Sequence, residues 1–246
     1  MFFVFSPLEQ FEIIPLISFL GINITNNVIL IIFFNLFFYS FFFFFFFEKK
    51  YITNNYLLFF EDCFFTCFDL VFSNINKAGL KYLPLIFCIF LYILIFNLLG
   101  MVPYSFTITS HLVATFTLSL LFFFGFNFIG IQKHKKKFLT LLLPSGASIF
   151  LVPLLVPIEL VSYIFRLISL PVRLFANMMA GHTLLKVISG FSWSMVQIGG
   201  FFFFLHFIPL ILLIFLIGLE LGVACIQAYV FTILLCMYIN DAINLH

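Results

Sequence analysis

The sequence predicts an all-α membrane protein with five bilayer-crossing helices and one amphipathic surface helix. The last two helices are expected to form a long tilted antiparallel hairpin. Three observations lead there. Of 246 residues, 65% are hydrophobic and only 8% are charged, with a mean hydropathy of +1.28, whereas an average soluble domain carries about 25% charged residues. The apolar runs are continuous rather than alternating, which excludes a membrane β-barrel. The few charges cluster between the runs or stand singly inside the two longest ones. A net charge of +2 is too small for a phosphate footprint, so no nucleic-acid partner is expected.

The whole chain, 1–246, reads as one membrane domain that opens with an N-terminal segment, 1–27. Val28 to Phe47 (28–47) carries no charge and is long enough to span about 30 Å of hydrocarbon. It lies too deep in the chain for a signal peptide. Over 51–81, Phe60, Phe64, Phe68, Val71, Phe72 and Ile75 recur with helical period, with Asp62, Asp69, Ser73 and Asn76 opposite. This pattern suits an amphipathic helix on the membrane surface. Two more uncharged spans cover 82–102 and 112–131. If the three spans cross alternately, Lys49–Lys50, Lys77 with Lys81, and Lys133–Lys137 all fall on one face. The loop 103–111 has no Lys or Arg. The positive-inside pattern then puts the amino terminus outside.

The stretches 144–190 and 201–242 are too long to stand upright. As straight helices they measure roughly 70 and 60 Å, against a core of about 30 Å. Neither contains a polar loop, so both are expected to be tilted, with Gly199-Gly200 turning the chain between them. The cysteines Cys63, Cys67, Cys88, Cys225 and Cys236 include no CxxC pair and read as buried small hydrophobes. The phenylalanine excess, including Phe41 to Phe47, reads as compositional bias.

Ionisable residues inside the two long stretches carry the functional information. They are Glu159, Arg166, Arg173, Lys186, Glu220 and Asp241, with His182 and His206. Each charge in a membrane costs at least about 2.5–3.5 kcal/mol, so such residues are candidates for function. Glu159, Arg166 and Arg173 are seven apart and Asn177 follows four later, which makes one stripe on a helix. Glu220 and Gln227 make a second stripe, with His206 close to the same face. Folding the helices together about residue 200 sets Glu159 against Asp241, Arg173 against Gln227, and His182 within a turn of Glu220. Carboxylates and histidine exchange protons with water, but arginine keeps its proton. Two proton-handling sites are therefore separated by a fixed positive charge. Arg173 has no acid at its own level, and Arg166 only adds positive charge. A partner subunit is expected to supply the anion.

At this point the residues match a family. LVPLLVPIELVSYIFRLISLPVRLFANMMAGH (151–182) and LELGVACIQAYVFTILLCMYINDAINLH (219–246) closely resemble the subunit a family of F-type ATP synthases. NLLGMVPYSFTITSHLV (97–113) is similar to that family's earlier helical pair, and SPLEQFEI (6–13) to the mature start of its mitochondrial members. The resemblance implies a proton-translocating stator subunit with no bond chemistry of its own. Its partners would be a c-subunit ring, the other membrane-sector and peripheral-stalk subunits, the lipid bilayer and protons. It further implies that Arg173 faces the ring's essential carboxylate, with Gln227 and Asn177 beside it. His182 and Glu220 match the half-channel from the intermembrane space, and Glu159 and Asp241 the matrix route. The implied location is the mitochondrial inner membrane, amino terminus to the intermembrane space and carboxyl terminus to the matrix. Pro171 departs from the glycine common in the family and should kink the helix before Arg173. No P-loop or HExxH occurs, so no cofactor, nucleotide or metal is expected. The rival reading is a proton- or ion-coupled secondary transporter or a proton-pump subunit. It predicts internal repeats that the sequence lacks.

Overall fold

The computed structural model describes residues 8–19, 22–47, 55–102, 106–135 and 152–243. Among them the chain is overwhelmingly helical. After a 3-10 turn at Glu9–Phe11 come two short strands, β1 (Pro15–Phe19) and β2 (Ile22–Thr25), paired antiparallel with Ile17 opposite Ile24 and Phe19 opposite Ile22. The sequence reading has no strands. A two-stranded pair is marginal alone, and its few β-branched residues make no long alternating run. Here the pair is tied to the helix that follows, because the Asn26 N–H donates to the Ile14 carbonyl at 3.2 Å.

Seven helices follow. α1 (Asn26–Phe47) has 22 residues and α2 (Asn55–Ile75) has 21. A 3-10 stretch, Asn76–Tyr82, leads into α3 (Leu83–Gly100). Next come α4 (Leu112–His134), α5 (Val152–Ile198), the short α6 (Phe202–Leu205) and α7 (Phe207–Ile243). Four helical segments among the described residues are long and apolar enough to cross a membrane: Gly79–Gly100, Leu112–His134, Val152–Ile198 and Phe202–Ile243. The stretch 144–151, expected to begin the first long helix, lies outside the described residues. The helix itself runs on to Ile198.

The core forms where α3 lies against α2 and α7. α3 is buried over a wide arc, through Ile86, Ile89, Phe90, Leu91, Ile93 and Phe96, and its remaining positions apart from Asn97 are apolar or aromatic as well, so it shows no polar stripe. α2 turns inward a stripe of small and branched residues, Cys63, Cys67, Leu70, Val71 and Ile75, at helical spacing. The expected phenylalanine face only borders that stripe: Phe64 and Phe72 remain 38% and 47% exposed. Compact residues let α2 approach its neighbours closely, and the bulkier rings are left outside. The five cysteines are free. From α7, Ala228, Phe231, Leu235, Cys236 and Ile239 enter the same cluster, and from α5, Leu170 and Leu174.

α5 and α7 touch along much of their length. Between them, Gly199 and Gly200 both take positive φ, +72° and +63°, a conformation that side chains resist. The short α6 and a break at His206 come before α7 begins. α5 is continuous through Pro157 and Pro171.

Candidate functional site

The charged and amide residues of α5 and α7 meet at three levels. Nearest the turn, His182 Nε2 lies 3.8 Å from Glu220 Oε1. Further along, Asn177 Nδ2 donates to Gln227 Oε1 at 3.2 Å. Further still, Arg166 Nη1 donates to Asp241 Oδ2 at 3.3 Å, and the Tyr238 hydroxyl lies 3.5 Å from the Arg166 carbonyl. The contacts therefore run in opposite chain directions.

One expected pairing is corrected, and a second lies one turn from its expected level. Asp241 meets Arg166, not Glu159, which lies seven residues, about two turns, further along α5. Gln227 meets Asn177, one turn from Arg173. The cause lies in the connection. It consists of the two glycines, Phe201, α6 and the break at His206, so the pairing centre falls beyond residue 200. The long Arg166 side chain then reaches the remaining turn to Asp241. His206 also stands apart. Its Nδ1 contacts the Phe203 carbonyl and its ring leans on Phe207, fourteen positions and roughly 21 Å along the helix from Glu220.

The surroundings of the three levels differ. Glu220 is only 6% exposed, yet neither of its oxygens nor His182 Nε2 has a hydrogen-bond partner among the described residues. At 3.8 Å the pair is too far apart for a direct hydrogen bond and is an ion pair only when His182 is protonated. Gly181 makes the approach feasible, because a Cβ there would sit 2.6 Å from Glu220 Cδ. The edge of the Phe11 ring lies against His182, with centroids 6.4 Å apart. Arg173 is exposed and makes no hydrogen bond or ion pair with any described residue. Arg166 and Asp241 are partly open, at 44% and 35%.

Several participants carry no signal in the sequence reading. Tyr163 donates to Asn127 Oδ1 of α4, and both line a cavity with Arg166, Tyr238 and Asp241. A neighbouring opening of about 450 Å³ reaches Asp241, Asn240 and Asn74. Isolated Tyr and Asn in apolar helices look like ordinary interior residues until their partners are known. Asn97, fully buried, donates from Nδ2 to the Ala224 carbonyl at 3.3 Å, one turn from Glu220. A larger cavity of about 480 Å³ lies between the N-terminal segment, α1, α3, α4 and α5. Asn27 Oδ1, Thr109 Oγ1 and His111 Nε2 all line it, and each lacks a partner among the described residues. Burial lowers His111 below the usual histidine range.

Long apolar helices, with ionisable groups of α5 and α7 turned toward each other, define a multi-span helical membrane protein. Residues 27–240 match the family model for the ATP synthase A chain. The chain is 46% identical over 249 residues to the ATP synthase subunit a of Chondrus crispus, covering 100% of this chain and 98% of the relative. It is 50% identical over 246 residues to that of Pylaiella littoralis, covering 98% and 99%. With that of Marchantia polymorpha it shares 51% identity over 174 residues, covering 71% and 69%. The chain belongs to the ATP synthase A chain family.

Proposed function

We propose that this chain is the proton-translocating stator subunit of the ATP synthase membrane sector. One observation carries the reading. Arg173 stands exposed, with no pairing partner among the described residues, between a His–Glu level and an Arg–Asp level on long apolar helices. A permanent charge in hydrocarbon is costly without a counter-ion, so an anion must come from outside the chain. A carboxylate on a rotating ring of c subunits supplies it.

α1 adds a fifth crossing to the four long apolar helices, and α5 and α7 lie tilted in the membrane as an antiparallel pair. The lysine clusters face the matrix of a mitochondrial inner membrane, and the amino terminus faces the intermembrane space. Water reaches His182 and Glu220 from that space, past Phe11 and the cavity lined by Asn27, Thr109 and His111. A proton passes there to a ring carboxylate, which then turns through lipid in its neutral form, because a neutral acid is far cheaper to bury than a charged one. On the other side it meets Arg173, whose charge favours ionisation and so releases the proton. Asn177 and Gln227 hold each other beside that arginine. The proton leaves past Asp241, Tyr163 and Glu159. Arg173 lies about 13 Å along the helix from His182 and about 10 Å from Arg166. Direct hopping would have to cross a fixed positive charge, so flow must go by way of the ring. Each proton delivers about 2.3 kcal/mol per 100 mV. The chain makes and breaks no covalent bond apart from these proton transfers.

The test is Arg173→Ala in the reconstituted complex, with assembly checked separately. ATP-driven pumping and proton-driven synthesis should be abolished while passive leak persists or rises. Arg173→Lys should also fail, because a lysine can lose its proton when buried and lacks the planar fork. An assembled Arg173→Ala complex making ATP at the normal rate would overturn the proposal.

A further inference from the structure

The end of α7 is gripped by a helix that carries none of the three polar levels. Lys133 Nζ donates to the Ile243 carbonyl at 3.1 Å, and His134 Nε2 lies 2.9 Å from the same oxygen. Ile243 is the last described residue of α7, and Lys133 and His134 are the last two residues of α4. The last four carbonyls of a helix have no partner within it, and that end carries partial negative charge that cations stabilise. A lysine in a basic run is ordinarily solvated. Here two consecutive residues converge on one oxygen of another helix, more than a hundred positions away.

What this grip controls is Asp241, two residues before Ile243. On its other side Asp241 pairs with Arg166, but that pair is partly open to solvent, and exposed ion pairs fix geometry weakly. The groups facing Asp241 are Arg166 and Tyr163 of α5, Tyr238 of its own helix, Asn127 of α4 and Asn74 of α2. None of these holds the α7 backbone from the α4 side.

We propose that Lys133 and His134 are positioning residues for Asp241: by holding the terminal carbonyl of α7 they keep its carboxylate facing Arg166 and the cavity mouth. His134 acts as a donor through Nε2–H. The inference rests on Asp241 being part of the proton route proposed above. It gives the first two residues of the basic run a task beyond orienting the chain, which Lys135, Lys136 and Lys137 can still perform.

The experiment uses the assembled complex in vesicles, with Lys133→Met and His134→Leu combined, and Lys133→Arg as the conservative variant. Nitroxide labels at Ile131 and Met237 report the distance between the ends of α4 and α7. The double variant should make ATP three- to ten-fold more slowly, shift the dependence of rate on matrix-side pH, and broaden the label distance distribution. Lys133→Arg should restore all three. If the double variant does not assemble, His134→Leu alone should show the same changes to a smaller degree. A normal rate, an unchanged distance distribution, or failure of Lys133→Arg to restore function would each overturn the proposal. Arg173→Ala in the same preparation separates the two ideas. If that variant still makes ATP, the proton route is wrong. If it fails while the Lys133 and His134 variants behave normally, only the positioning role is wrong.

Discussion

Replacing Gly181 with alanine would place a methyl group where the Glu220 carboxylate now sits. The new Cβ would lie 2.6 Å from Glu220 Cδ and 3.1 Å from Cγ, against an optimal carbon–carbon separation of about 3.5–4.0 Å. The acid must therefore withdraw by about 1 Å. The stability cost should be small. The clashing atoms end a side chain that can swing, and alanine in a helix gains about 1 kcal/mol over glycine, close to the 1–3 kcal/mol of overpacking that it offsets. The functional cost should be large, because displacing a reacting group by about 1 Å can lower a rate about a hundredfold. Gly181→Ala is thus expected to assemble normally and to slow proton flux ten- to a hundred-fold in reconstituted vesicles, scaled to complex content. Shortening the acid with Glu220→Asp removes about one methylene and relieves the collision. The double variant should run faster than Gly181→Ala alone, a coupling expected of contacting residues. If Gly181→Ala conducts protons at the normal rate, Glu220 does not work from its place against Gly181.

Two further outcomes follow from the same geometry. Asn177→Leu leaves the buried Gln227 Oε1 without its donor. The cost should be about 1–3 kcal/mol, seen as a lower unfolding temperature of the complex, with slower ATP synthesis because Gln227 is free to turn. His111, at the cavity, is held below the ordinary histidine value of about 6.5 by burial. The unfolded chain then binds the proton more readily, so stability is full above about pH 6.5 and falls as pH drops toward the lowered value. His111→Gln should flatten that loss when unfolding is followed between about pH 5 and pH 7.5, and an unchanged slope would show that His111 is not the group responsible.

Much of the helical content, and several of the polar residues that meet between α5 and α7, were legible because the membrane simplifies the code. Uncharged runs of sufficient length allow few alternatives to a helix, and every charge within them calls for a reason. The same logic singled out Glu220, His182 and Arg173 from an otherwise uniform background. Register was less legible. Gly199 and Gly200 marked the turn, but Phe201 to His206 look like more apolar helix, and nothing in them announces a short helix with a break. That hidden length moved Asp241 from Glu159 to Arg166. The strands β1 and β2 escaped notice because nine strand residues give too short a pattern. Asn127, Tyr163 and Asn97 escaped because uncharged polar residues are common in membrane helices, and their meaning lies in partners on other helices.

The corrected register changes how the matrix side of the proposed route would operate. A Glu159–Asp241 pair would have been two like charges sharing one site, holding a proton between them. With Asp241 beside Arg166 instead, the proposed route places a carboxylate next to a guanidinium about two turns from Arg173. Glu159, about two turns beyond, is then a later station and not a partner. Two arginines and two acids thus alternate along α5 and the end of α7 in the order Arg173, Asp241 with Arg166, Glu159. In the proposed route, a proton leaving the ring would meet Asp241 beside the Arg166 guanidinium, and the Arg173 charge would bar its return. On the opposite side of Arg173, Glu220 faces His182 among the described residues. In the proposed function, that difference suits loading a carboxylate on one side of Arg173 and emptying it on the other.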